Sequence, residues 1–394
     1  MKKEIFAFAA AISAVSALAD ANDPQIQKVG EAMQDLARVL TVNYTLDEPA
    51  IVTFDMKTNG VSIGAENLKL AYGDVHRVVE AGTRSLSWPA YEAWPGYKFN
   101  NGEVSVEVTA WATNSPPDYM VIKLVGEDKG ARTFYTAPEQ LPGVGGVTND
   151  MYKTDYLVMR RIPAAGKTYR MGSPTTEVGR DYTSGAGEEP LHYVCLTNDF
   201  YISVFELTQG QYTNALGRAP NNTTKNGYQF TATHPVNLVT YSSFSGTDLP
   251  QFRNSVNLGA LTIPTEAEWE FACRAGTLSA RYDGSEYPAD VSHLAWYGHD
   301  WPQDVGLLQP NGFGLYDMIG NVPEVCLDDF VSAYAEVGST MIAPRGSTTG
   351  GNRVLRGGQL WWAGDGYMHR SAWRYPWGNG SAWMLFGYRL VCTF

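Results

Sequence analysis

Apolar and polar residues alternate without a break from Glu103 to Ala110. Val104, Val106, Val108 and Ala110 fall on one side and Ser105, Glu107 and Thr109 on the other, the period-2 pattern of a half-buried β-strand. Ala50 to Met56 repeats it, with Val52, Phe54 and Met56 inward, and runs into Thr58-Asn59-Gly60, a hairpin signal. From about Val29 to Val125 such strands follow one another with Asn-Gly and Pro-Gly turns and no helical period. The pattern predicts a β-sandwich, broadly immunoglobulin-like, over residues 20–136. It holds no titratable cluster and reads as a spacer or adhesion module.

The Gly/Pro-rich passage 137–150 is the expected linker, and the texture changes over 151–394. Two helices announce themselves by capping boxes, Thr208 with Gln211 and Thr265 with Glu268. In the second, Trp269, Ala272 and Cys273 share a face and Gly276 supplies the stop. The remainder reads as loops and short strands, so aromatic packing, disulfides or metal must hold it. The fold class expected is α+β in two domains, which 394 residues also favour.

Lys2 and Lys3, an apolar run from Ile5 to Leu18 and Ala17-Leu18-Ala19 describe a secretory signal peptide over residues 1–19. The protein is therefore expected to be secreted, periplasmic or at the cell surface. No later stretch reaches the roughly 18 consecutive apolar residues of a membrane span. Export changes the reading of Cys195, Cys273, Cys326 and Cys392: an even count in an oxidising compartment predicts two disulfides, with all three connectivities open. A net charge of −12 argues against nucleic-acid partners, which need a basic surface.

Nine motifs then follow in order: Tyr169-Arg-Met-Gly-Ser173, Phe200 to Gln209, His234-Pro-Val-Asn237, Pro264 to Phe271, Gly312 to Met318, Gly320-Asn-Val322, Arg353-Val-Leu-Arg-Gly-Gly358, Arg370-Ser-Ala372 and Gly387 to Val391. In this order they resemble the formylglycine-generating-enzyme, or sulfatase-modifying-factor, family from about Met159 to Val391. The resemblance implies a C-type-lectin-like fold with little regular structure. It also implies that a serine, a cysteine, a histidine and a second cysteine follow Arg-Gly-Gly in that order, the two cysteines binding copper to convert a sulfatase cysteine to formylglycine. Those positions are Gln359, Trp362, Ala363 and Tyr367 here. Indole and phenol do not replace the soft thiolates that hold Cu(I), so copper is not expected.

The resemblance further implies a structural calcium held by Asp317, Gly320, Val322 and Glu324, hard oxygen donors on a Gly-containing loop. With the catalytic set replaced, the expected function is a binding module for a protein or glycan. Its candidate ligand residues are Trp362, Tyr367, Arg356, Asp365 and His369, because aromatic rings make binding anchors. The competing expectation is an oxidoreductase of the same superfamily with altered metal chemistry; separately, Asp365 and His369, four apart, are a candidate acid/base pair.

Overall fold

A computed structural model of the chain describes residues 24–30, 33–34, 38–96, 104–180, 191–220, 224–225, 228–286, 290–332, 340–344, 351–360, 367–378 and 386–393. The signal segment lies outside them. The chain divides into two compact units, one of residues 1–121 and 132–149 and the other of 122–131 and 150–394. The passage expected to be a linker carries short 3-10 helices at Pro138–Gln140 and Gly146–Thr148, and as far as residue 149 it belongs to the first unit.

The first unit is built from strands β1 (Ile26–Val29), β2 (Val39–Leu46), β3 (Ala50–Thr58), β4 (Gly82–Pro89) and β5 (Val104–Trp111). β1, β2 and β4 form one antiparallel sheet. β3 pairs along its length with β5 in a second, Phe54 opposite Val108 and Met56 opposite Val106. The alternation is obeyed in space: Val104, Val106, Val108 and Ala110 enter a core with Val52, Phe54, Met56, Tyr44, Leu86 and Trp88 from both sheets. Asn59 and Gly60 both take positive φ, 51° and 80°, the backbone a two-residue hairpin needs. His76 is buried against Tyr135, with ring centroids 4.6 Å apart, and burial pushes its pKa down to about 4; the neutral ring shares a hydrogen bond with the Phe134 carbonyl.

The second unit contains β6 (Tyr156–Ile162), β7 (Lys167–Met171), β8 (His192–Leu196), β9 (Phe200–Ser203), α1 (Gln209–Leu216), α2 (Leu249–Ser255), α3 (Glu266–Arg274), β10 (Glu324–Asp329), β11 (Arg353–Arg356), β12 (Arg374–Trp377) and β13 (Val391–Cys392). β9 lies between β6 and β13, and β11 between β10 and β12, all antiparallel. Both capping boxes form: Thr208 Oγ1 accepts from Gln211 N and Thr265 Oγ1 from Glu268 N, at 3.1 and 3.2 Å. Each such cap is worth about 1 kcal/mol. α3 ends with Ala275 in the left-handed region, followed by Gly276. Its buried face sets Trp269, Ala272 and Cys273 into a core with Leu315, Met318, Ile319 and Cys326.

The expected disulfides are absent, and all four cysteines are free. The even count misled because each thiol belongs to a different element. Cys273 Sγ faces the Ser371 hydroxyl at 3.6 Å, Cys195 Sγ its neighbour's carbonyl at 3.8 Å, Cys326 lies on β10 and Cys392 on β13. Cys273 and Cys326 behave as small apolar core residues, and burial raises both pKa values.

Candidate functional site

α3 places Glu266, Glu270 and Arg274 one turn apart on one buried face. Arg374 grips Glu266 with two bonds of 2.7 and 2.8 Å, Nε to Oε1 and Nη2 to Oε2. Arg356 pairs with Glu270 and approaches Glu266, while Arg274 Nε donates to Glu270 Oε1 at 2.8 Å. Glu270 Oε1 also accepts the backbone N–H of Gly172 at 2.9 Å, and Arg274 Nη2 returns a bond to the Gly172 carbonyl. A buried ladder of alternating charge thus ties the loop after β7 to α3 and to β11. Burying charge is tolerable only when each group is paired in this way.

Arg356 leads into Gly357 and Gly358, at φ 96° and 92°. A Cβ on Gly358 would lie 2.9 Å from the His369 ring and the Met368 carbonyl, so only glycine fits this approach. The chain then reaches Gln359, which is buried and whose carbonyl accepts from His369 Nε2 at 3.2 Å. His369 is fully buried, 5.1 Å from the Tyr297 ring centroid, and burial pushes its pKa down to about 4. It is a neutral ring with the proton on Nε2, while Nδ1 has no partner among the described residues. Tyr367 is half-buried; its carbonyl accepts from Arg370 Nε at 2.7 Å, and Arg370 Nη1 reaches Glu177 at 2.6 Å.

Of the expected ligand residues, Tyr367 and His369 are described, and His369 meets the carbonyl of Gln359, one of the replaced catalytic positions. Trp362, Ala363 and Asp365 lie outside the described residues. Arg356 faces the core: it has no exposed surface and spends its guanidinium on Glu270, Glu266 and the Trp373 carbonyl.

The loop expected to hold calcium lies in a second charged cluster. Glu324 binds Arg389 through both oxygens, at 2.9 and 3.0 Å from Nε, and Oε2 accepts Trp269 Nε1 at 2.7 Å. Asp317 Oδ2 accepts Gly306 N at 2.7 Å, and Oδ1 is buried with no partner among the described residues. Gly320 sits at φ 85° where a Cβ would lie 2.7 Å from Trp296 N, which fixes the turn between Asp317 and Val322.

Motif reading missed Glu206, which accepts from Val322 N at 3.0 Å and Asn321 Nδ2 at 2.7 Å. Its place in the Phe200–Gln209 motif was the available signal. Burial and the Asp317 and Glu324 carboxylates push Glu206 well above the ordinary range, and burial pushes Asp317 up to about 6. With all groups ionised, three carboxylates face one guanidinium, an excess of two negative charges in a buried place.

The family described as "Sulfatase-modifying factor enzyme 1-like domain" matches residues 160–394. Among curated proteins, a formylglycine-generating enzyme of Thermomonospora curvata is 41% identical over 114 residues, 25% of this chain and 38% of that protein. One from Streptomyces coelicolor is 36% identical over 122 residues, 27% and 38% of the respective chains. The matched stretch thus spans well under half of either relative. Among solved structures, PvdO from Pseudomonas aeruginosa superposes with a TM-score of 0.51 at 26% identity, over 60% of this chain and 95% of that one.

Proposed function

Because the chain belongs to the sulfatase-modifying factor enzyme 1-like family, we propose that it is an exported member that does not generate formylglycine and instead binds a protein or glycan in the ancestral groove. The observation that carries this is chemical. Gln359, Trp362, Ala363 and Tyr367 occupy the catalytic positions, while the four thiols lie on other elements, three of them buried. None of the side chains at those four positions is a soft ligand for Cu(I). The first unit, in the same reading, is an immunoglobulin-like spacer.

The test is direct. Purified protein should hold no stoichiometric copper and should leave a sulfatase-type cysteine peptide unconverted by mass spectrometry. On a glycan array and a displayed peptide library, Tyr367→Ala should weaken any selected binder by about 1 to 3 kcal/mol, the range of an aromatic anchor, without lowering the melting temperature. Formylglycine in the peptide, dependent on this protein, would overturn the proposal.

Calcium belongs to the same proposal. Asp317, Gly320, Val322 and Glu324 are the residues that would hold it. Asp317 Oδ1, buried and without a partner among the described residues, is the oxygen left for a hard divalent cation, while Glu324 would have to share its two oxygens with Arg389 and Trp269. The cation's contribution would be charge neutralisation in the fold. A cation bound only by the folded state adds about 2.7 kcal/mol at a hundred times its Kd. Calcium should therefore raise the melting temperature over chelator, and Asp317→Asn should abolish the increment. A transition unmoved by chelator would sink the assignment.

A further inference from the structure

Away from Gln359 and His369, the second unit has a cavity of about 400 Å³ between one face of α1, Thr154 and Asp155, and residues 230–232, a volume within the range of small-molecule sites. The donors around it are spent inside the protein. Asn214 Nδ2 donates to the Thr154 carbonyl and to Asp155 Oδ1, both at 3.1 Å. Thr213 Oγ1 donates to the Gln209 carbonyl at 2.7 Å, and Thr231 Oγ1 to Asp304 Oδ1 at 3.1 Å. Gly210 N is bound to the Ala232 carbonyl and Gln209 Nε2 to the Pro235 carbonyl.

What remains is acceptors. Asp155 Oδ2 has no partner among the described residues. Gln209 is only 5% exposed and its Oε1 makes no hydrogen bond among the described residues, and the hydroxyls of Thr154, Thr213 and Thr231, each donating within the protein, keep lone pairs to accept with. Phe230 supplies the apolar wall. A wall with one full negative charge, lone pairs and an aromatic ring, and with its donors already used, is complementary to a cation rich in N–H groups.

We propose that this cavity binds a primary ammonium on a short aliphatic stem, the ammonium against Asp155 and the stem along Phe230. Two sources carry that chemistry, a free alkylamine and a lysine side chain of another protein.

Titration of the intact chain with n-butylammonium, followed by calorimetry, tests the proposal, with n-butanol and butyrate as probes of the same stem. Saturable binding of the ammonium alone is expected. Asp155→Asn keeps an oxygen for Asn214, so the melting temperature should hold while affinity falls about tenfold, the loss of one charge-assisted bond. Phe230→Leu should weaken binding less. A lysine tripeptide blocked at both ends separates the sources: binding of the peptide alone assigns a protein lysine, and binding of both assigns a free amine as well. Equal binding of butanol, an unchanged affinity in Asp155→Asn, or no saturation by either ammonium probe in the millimolar range would overturn it. None of these outcomes touches the groove at Tyr367, so the proposed function stands or falls separately.

Discussion

Replacing Arg389 by methionine should destabilise the second unit by about 3 to 5 kcal/mol, the cost of removing one partner from a buried ion pair. Arg389 is the guanidinium among Glu206, Asp317 and Glu324, and it has no exposed surface. Its loss leaves the Glu324 carboxylate with Trp269 Nε1 but without its counter-charge. It also strips donors from the carbonyls of Ser203, Val204 and Tyr316, bonded at 2.9, 3.0 and 2.8 Å. A domain of ordinary stability holds only about 5 to 15 kcal/mol in all, so much of the variant should be unfolded under mild denaturant. Urea unfolding read by tryptophan fluorescence measures the loss.

A second variant identifies the cause. Adding Glu324→Gln to Arg389→Met removes the negative charge that Arg389 paired directly while keeping the shape of the side chain, and part of the stability should return. A loss below about 1 kcal/mol in the single variant would place it among ordinary substitutions and contradict the role given to the cluster. A double variant no better than the single one would show that lost hydrogen bonds, not charge, are responsible.

What could be read from the sequence was local. The strand at Val104–Ala110, the Asn59-Gly60 hairpin and the two capping boxes are decided by residues within a few positions of one another, and each has the geometry its pattern requires. The charged interior was not legible. Glu266 and Arg374 are 108 positions apart, Glu206 and Asn321 are 115 apart, and a lone Arg or Glu in a sequence reads as surface. Arg356, one of the candidate ligand residues, is instead spent within the ladder on α3. The cysteines failed in the opposite direction: parity and compartment describe what thiols do when they meet, and these four do not meet. The contact between Gln359 and His369 is not legible in their spacing either; only the motifs on either side, ending at Gly358 and resuming at Arg370, draw attention to the segment.

The second large effect is expected at Glu270. Its carboxylate joins three things at once, the guanidinium of Arg356, that of Arg274 and the backbone N–H of Gly172, with no exposed surface. Glu270→Ala leaves two buried cations, of which Arg356 keeps Glu266 at 3.6 Å and Arg274 keeps only carbonyls among its described partners. The expected cost is again about 3 to 5 kcal/mol. Thr265→Ala on the same helix supplies the scale. It removes a cap and should cost about 1 kcal/mol, so the two variants separate loss of helix from loss of the ladder. Position-resolved hydrogen exchange adds a readout that simple loss of stability does not give. The Gly172 amide loses its acceptor in Glu270→Ala and should exchange faster than amides of the β9–β13 pairing, which the substitution does not touch. In Thr265→Ala the Gly172 amide should keep its protection relative to that sheet. If Glu270→Ala costs no more than the cap, or leaves Gly172 as protected as the sheet, then the ladder does not hold the loop after β7 to α3.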